Sequence, residues 1–492
     1  MSSLQKKAIF GLSWTMLEYF LLLIFQLSLL AVLARILKPE DFGIFAIGTF
    51  FSTLGNSVFA MGMGPAIIQR SGNVNDYLDT AWSANLLISL FAFLFLLLII
   101  PTIVNYYFSN NEAVLPSLIL SSIVLISGFN NIGIVVFMKK IELKNVFFYN
   151  IFPKATGVIF AILFSILLQS YWGLIVGLIV ESIFRAMISY KLSPYRPKFK
   201  IDRNKFIELY SFGGWLQLKN IISWFANNLD TFIIGIVTSV GLLGFYNRAI
   251  TIARLPQNQI VKVVNTVIFP LYSSIKNDKN RIQLSVNATN DLVLLLLFPI
   301  ILASVFFGDF IIIIFLGDNW IEMTETFQLL IIAIAYQAYF ISYVPLIRSM
   351  GFSKVEFYYF LIKIAILIFL LYPLTLKFSI NGAAYAIIIA NLLASPYIIW
   401  NIIRLTPISF RTILESLSVC VISSIAVIFL MNIFNFNENE SLIITGLYLM
   451  MMLLLFFMIL YGFYKLFNKG PFISIQKTLA VFKKKYINKN IL

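Results

Sequence analysis

Apolar positions along this chain come in long unbroken runs, and polar positions are largely confined to short gaps between them. Fourteen runs reach the roughly 20 residues a helix needs to cross a hydrocarbon layer. They are 10–34, 42–66, 80–107, 114–138, 146–169, 171–192, 209–236, 243–270, 287–315, 325–349, 355–376, 379–403, 411–433 and 441–467. In two of them the pattern changes. Projected at 100° per residue, Asn247, Thr251, Arg254, Asn258, Lys262 and Asn265 of the eighth run fall within one arc of roughly 80°, with Arg248 at its edge. The seventh run carries Gln217, Asn220, Ser223, Asn227, Asp230 and Thr231 at three- and four-residue steps. A polar stripe on a helix of membrane-spanning length must face protein or water.

Composition turns this pattern into a class. Of 492 residues, 60% are hydrophobic and 12% charged, with a mean hydropathy of +0.92. Globular domains are about 25% charged, so the chain is expected to be an all-α integral membrane protein with no room for a soluble domain. The first run is too long for the apolar core of a cleavable signal and lacks a small-residue cleavage site. The formal charge of +15 is therefore to be read loop by loop, as an inside–outside signal and not as a nucleic-acid footprint. Twenty-six Lys and Arg fall in the connections of one side and three, Arg35, Lys38 and Lys377, in those of the other. The remaining seven lie within spans. This asymmetry supports fourteen crossings and both termini in the cytoplasm.

The longest polar stretch before the C-terminus, the basic cytoplasmic linker 193–208, divides the chain. A faint repeat runs across it. Trp14 matches Trp215 and Gly43 matches Gly244, both pairs 201 residues apart. Phe42-Gly43-Ile44-Phe45 parallels Leu243-Gly244-Phe245-Tyr246, and Gly173 to Gly177 parallels Gly382 to Ala386. The expected organisation is a lobe of six spans over 1–192, the linker, a second lobe of six over 209–403, two further spans within 404–470 and a basic tail, 471–492, on the inner leaflet. Six is an even number, so the two copies run in the same direction, with a substrate site expected between them.

Chemistry is limited by what is missing. One cysteine, Cys420, and no histidine exclude a disulfide framework and disfavour a Cys/His metal site. There is no nucleophile motif, no histidine base and no phosphate-binding Gly-Lys-Ser/Thr loop. Neither an enzyme nor a nucleotide or other cofactor is indicated. Lys154, Arg185, Lys219, Arg248, Arg254, Lys262 and Lys363 lie within spans, some close enough to helix ends to snorkel or pair locally. Positive charge in a membrane-embedded cavity favours an anion. Arg254, with Arg248 and Lys262, suits a diphosphate. Asn220, Asn227, Asn258 and Asn265 suit sugar hydroxyls, and Lys219 and Asp230 of the seventh run are further cavity candidates. Glu18, Glu181 and Asp230 are candidates to carry a coupling proton or sodium ion, or to neutralise a neighbouring Lys or Arg.

Several segments resemble one family. Lys7-Ala8-Ile9-Phe10-Gly11-Leu12-Ser13-Trp14, then Leu33-Ala34-Arg35 through Pro39-Glu40-Asp41-Phe42-Gly43, look like the start of the bacterial polysaccharide transporters. These are the Wzx-type flippases of the multidrug/oligosaccharidyl-lipid/polysaccharide exporter superfamily. Gly62-Met63-Gly64-Pro65 to Arg70, Phe212-Gly213-Gly214-Trp215 and Leu243-Gly244-Phe245-Tyr246-Asn247-Arg248-Ala249 continue the likeness. It implies 12–14 helices in two lobes. It also implies flipping of undecaprenyl-diphosphate-linked oligosaccharides for O-antigen, capsule or exopolysaccharide, beside a polysaccharide polymerase and a chain-length regulator. Two alternatives stay open: a cation-coupled multidrug exporter of the same superfamily, which would want carboxylates dominating its cavity, and a membrane glycosyltransferase or polymerase.

Overall fold

The computed structural model of the chain describes residues 3–70, 72–264, 268–275, 277–406, 408–433, 442–467, 470–473 and 476. All regular structure among them is helical. In order, the helices are α1 (Ser3–Ile36), α2 (Pro39–Val58), α3 (Met63–Gln69), α4 (Asn75–Tyr107), α5 (Val114–Gly128), α6 (Ile134–Lys139), α7 (Leu143–Leu168), α8 (Trp172–Leu192), α9 (Arg203–Val237) and α10 (Val240–Val263). There follow α11 (Phe269–Ile275), α12 (Lys279–Phe306), α13 (Gly308–Phe315), α14 (Thr324–Ile341), α15 (Val344–Ser349), α16 (Ser353–Leu405), α17 (Phe410–Ile433) and α18 (Leu442–Phe467). A bilayer offers no water to backbone polar groups, so helices that satisfy their own are the available solution.

Among the described residues, eleven segments are long and apolar enough to cross a membrane. One of them contains two of the expected spans. α16 turns a corner at Phe378 and Ser379, the latter at φ 52°, and Gly382 allows a close fit there, where a Cβ would lie 2.0 Å from the Leu374 carbonyl oxygen. The seventh and eighth expected spans do form helices, α9 and α10, but their polar stripes keep them out of the apolar set.

The chain packs as two compact units, Met1–Asn247 with Phe315–Asn319, and Arg248–Ile314 with Trp320–Leu492. In the first, α7 lies along α8, α1 along α7, and α2 against α5, α4 and α9. The α7–α8 seam is built from small residues. Gly173 sits against Ser165, and Gly177 against Ala161 and the Gly157 carbonyl. Four-residue spacing on both helices lets their backbones approach, the membrane route to dispersion contact in place of a hydrophobic driving force.

The same device holds α2 to α9 and α10. A Cβ on Gly43 would fall 1.9 Å from the Val240 carbonyl oxygen, and one on Gly244 would fall 1.8 Å from that of Pro39. Each glycine thus meets the residue four positions before the other. The pair matched by the sequence repeat is a helix crossing. At the far end of α2, Gly62 adopts φ 66° and abuts Gly213. The Gln217 amide donates to Val58 O (2.8 Å) and the Trp224 indole to Thr53 Oγ1 (3.2 Å). The packing unit therefore includes α9, because these contacts bind it to α2.

Residues 193–202 run as an extended strap along the start of α4. Lys198 N and Tyr195 OH both donate to Asp79 Oδ1, Lys200 N to Ser83 Oγ, and Asp202 N to Thr80 Oγ1. Asn131 donates through Nδ2 to the Tyr195 carbonyl. Beside the strap, Arg70 pairs with Glu208, which also accepts from Tyr77 OH at 2.8 Å.

The second unit has its own core on α12, α14, α16, α17 and α18, with Tyr272, Tyr343, Phe456 and Leu460 fully buried. Its polar side chains bond within the bundle: Ser342 to Asn290 (2.7 Å), Tyr336 to Ser395 (2.7 Å) and Asn391 to the Ala333 carbonyl (2.9 Å).

Candidate functional site

One turn further along the α7–α8 seam, small residues give way to charge. Gly173, Gly177, Glu181 and Arg185 follow at four-residue steps on one face of α8. Gly157 on α7 makes room for Glu181, since a Cβ there would lie 2.7 Å from the Glu181 Cβ. Glu181 stands between two cations: Lys154 Nζ donates to Oε2 and Arg185 Nη2 to Oε1, both at 3.0 Å. The Arg185 guanidinium reaches on to Asn150 Oδ1 (3.4 Å) and lies over the Tyr149 ring (5.6 Å). Asn150 in turn donates to Glu18 Oε1 (2.9 Å) on α1. Trp14, one turn before Glu18, packs edge-on against Phe147. Three helices are thereby joined through a chain of two carboxylates and two cations.

Glu181 and Arg185 also form part of an open cavity of about 490 Å³ lined by α2, α5 and α8. α2 contributes Phe45, Thr49, Ser52, Thr53 and Asn56, α5 and the turn after it Ser127 and Asn130, and α8 adds Ser182. The Ser127 hydroxyl donates to Asn56 Oδ1 (3.1 Å), and these two residues also border a second cavity of about 160 Å³ reaching Asn85 and Ser89 on α4. Ionised groups in a membrane bundle are costly unless paired or hydrated. This network has both answers, mutual pairing on one side and open space on the other.

The other sequence candidates are distributed as follows. Along α10 from 243 to 254, only Asn247, Thr251 and Arg254 escape full burial, so the polar stripe is the less covered side of that helix. Arg248, at its edge, is 8% exposed. Lys262 is half-buried and Asn258 exposed. Asn265 lies outside the described residues, as does the basic tail from 477 onward. On α9, Lys219 and Asn227 are exposed and Asn220 half-buried. Asp230 is buried and accepts hydrogen bonds from Tyr246 OH (2.6 Å) and Thr231 N (2.7 Å). Glu18 and Glu181 are thus joined in one network, while Asp230 belongs to a different contact. Arg185, Asn56, Ser127 and Asn130 are members of the cavity that stripe analysis passed over. For Arg185 the signal was the four-residue step itself, a carboxylate and a guanidinium continuing a glycine ladder inside an apolar run; Asn56, Ser127 and Asn130 carry no such signal.

With this geometry in view, comparison with known proteins is decisive for the family. The family described as "Polysaccharide biosynthesis protein" matches residues 32–325. The chain belongs to that family. It is 22% identical over 358 residues to the lipopolysaccharide biosynthesis protein WzxC of Escherichia coli K12, covering 71% of this chain and 69% of that one. In three dimensions it shares the fold of the Lipid II flippase MurJ in an inward closed conformation, with a TM-score of 0.74 over 93% of this chain and 99% of that one at 16% identity. A multidrug resistance transporter of the MATE family and MOP superfamily, in an inward-facing conformation, aligns with a TM-score of 0.61 over 77% of this chain and 94% of that one at 13% identity. One fold therefore serves a lipid flippase and a drug exporter, and the choice between those activities must come from the site.

Proposed function

We propose that this membrane protein flips undecaprenyl-diphosphate-linked oligosaccharide repeat units across the bacterial plasma membrane by alternating access, supplying O-antigen, capsule or exopolysaccharide synthesis. The observation that carries this reading is the charge balance of the cavity. Its one carboxylate, Glu181, is held by two cations, Lys154 and Arg185. A site built to draw in cationic drugs would leave that carboxylate to the ligand; here it is already compensated, which suits a hydroxyl-rich head group. The name of WzxC and the family match support polysaccharide biosynthesis as the setting.

On this reading the lipid tail stays in the bilayer, and Arg248, Arg254 and Lys262 attract the diphosphate. Asn220, Asn227, Asn258 and Asn265, flanked by Lys219, serve hydroxyl groups. Residues 1–192 and 209–403 are the two repeats and both termini are cytoplasmic. The α2–α5–α8 cavity then lies towards the loading side, because Asn56 and Asn130 are near the inner ends of their segments. A proton or sodium ion carried at Glu18, Glu181 or Asp230 is the proposed coupling ion, with no other cofactor. A polymerase and a chain-length regulator are the proposed partners.

The test uses the full chain in proteoliposomes loaded with a fluorescently labelled undecaprenyl-diphosphate oligosaccharide. Label should become accessible to an external quencher faster than in protein-free vesicles. Equal rates with and without protein, under proton and sodium gradients of either direction, would refute the flippase reading.

A further inference from the structure

The wall of the α2–α5–α8 cavity has an uneven supply of hydrogen-bonding groups. Apart from Ser127, its hydroxyls have spent their hydrogens on their own helices. Thr49 donates to the Phe45 carbonyl (2.9 Å), Thr53 to that of Phe50 (3.0 Å) and Ser182 to that of Leu178 (2.9 Å). Asn56 likewise gives an amide hydrogen to the Ser52 carbonyl (3.0 Å). Each of these hydroxyl oxygens keeps acceptor capacity after donating. Asn130 also lines the wall, with its Oδ1 buried. The wall is rich in acceptors. Donors come from Arg185, a five-donor group in contact with Glu181, Asn150 and the Tyr149 ring, and from the side-chain amides of Asn56 and Asn130.

A ligand that satisfies such a wall must bring its own donors. Ammonium groups and polyols both do so. The ion pairs exclude the first, because Glu181 already carries Lys154 and Arg185 and offers a cation no uncompensated charge. Polyols remain. A sugar ring supplies hydroxyl donors around its edge and a C–H face that suits the half-buried Phe45 ring in the wall. The cavity's volume of about 490 Å³ is in the range of small-molecule sites.

We propose that this cavity is a glycan subsite: it seats a neutral or acidic sugar of the translocated head group, with Thr49 accepting from its hydroxyls, Asn130 bonding through its side-chain amide and Arg185 donating to its oxygens. The proposal rests on the flippase reading and adds where in the molecule the sugar is read. Acidic sugars gain from Arg185, and amino sugars gain nothing.

The experiment measures binding to the full chain in lipid nanodiscs, using four probes. These are farnesyl diphosphate alone and farnesyl diphosphate carrying a neutral disaccharide, a uronic-acid disaccharide or a disaccharide with a free amine. The neutral and acidic glycolipids should bind roughly tenfold more tightly than bare farnesyl diphosphate, a gain of one or two hydrogen bonds. In Asn130→Leu, and separately in the nearly isosteric Thr49→Val, the ratio of glycolipid to bare-anchor affinity should fall towards one. Equal affinities for all probes in the unaltered protein, or a ratio unmoved in both variants, would overturn the glycan subsite and leave the flippase reading standing. A preference for the amine-bearing probe would overturn the charge argument. Failure of every diphosphate to bind would count against the flippase reading itself.

Discussion

Glu181 answers to two cations at once, so its removal should harm the fold more than the loss of either partner. Glu181→Ala leaves Lys154 and Arg185 facing each other across α7 and α8 without compensation. Pairs of this kind lie between exposed bridges and fully buried ones, and we expect a loss of about 1–3 kcal/mol, read as a lowered melting temperature in detergent. Lys154→Ala should cost less, because Arg185 still holds the carboxylate. Arg254 is a different case. It is half-buried on the open side of α10, and Arg254→Ala is expected to slow vesicle flipping of a labelled lipid-linked glycan more than it lowers thermal stability. An unchanged flipping rate would remove Arg254 from the transport path. At the strap, burial first and the neighbouring Asp79 second raise the Tyr195 phenol above its ordinary value of 10.0. The folded state favours the protonated form. The stability from this contact is therefore full below the unfolded value near pH 10 and is lost only as pH rises towards the raised folded value. Tyr195→Phe should weaken strap docking by about 1–2 kcal/mol at neutral pH, while hydrogen exchange of strap amides in the unaltered protein stays constant from pH 6 to 9 after correction for intrinsic rates.

Helix crossings, more than helices, distinguish this chain from any other apolar one. The segments that carry the family resemblance, 62–70 with 212–215 and 42–46 with 243–249, meet at crossings where backbones nearly touch. Gly244→Ala should therefore force α2 and α10 apart. Its Cβ would lie 1.8 Å from a backbone oxygen that cannot rotate away, and about 1–3 kcal/mol of destabilisation is expected. Gly462→Ala on α18 is the control. Nothing lies within 4 Å of its Cβ, and its melting temperature should hold or rise slightly. The crossings explain why so much of the helical layout could be read in advance. Apolar runs of fixed length mark spans, and recurring glycines mark their contacts. The site was harder to read. Stripe analysis finds polar residues that recur along one helix, as on α9 and α10, but the cavity draws two or more residues from each of three helices. Thr49, Asn56, Ser127 and Asn130 are unremarkable in their own segments. Only packing makes them neighbours.

For the whole molecule, charge asymmetry in the connections makes a claim about orientation that chemistry can check. Cys420, the single cysteine, is buried, so single cysteines introduced in a Cys420→Ser background report their own surroundings. Lys198→Cys on the strap should react with a membrane-impermeant maleimide only when the cytoplasmic face is open to reagent, and Glu112→Cys, between α4 and α5, from the outer face of intact cells. The reverse pattern would invert the assigned topology. Overall class and family were legible from composition and helix-contact motifs, because a bilayer constrains sequence strongly. The repeat marks the linker 193–208 as a boundary, and packing joins the strap and α9 to the first unit through Asp79, Ser83 and the Gly62–Gly213 contact. The charged end of the α7–α8 seam also bears on biogenesis. Lys154 leaves the ribosome ahead of its counter-ion, and an isolated lysine at helix centre costs about 2.5–3.5 kcal/mol to partition into lipid. Glu181 and Arg185, one turn apart, arrive as a self-neutralised dipole that can take Lys154 into its field. The nascent chain is thereby biased to wait at the translocon and commit α7 and α8 to the membrane together, as a hairpin.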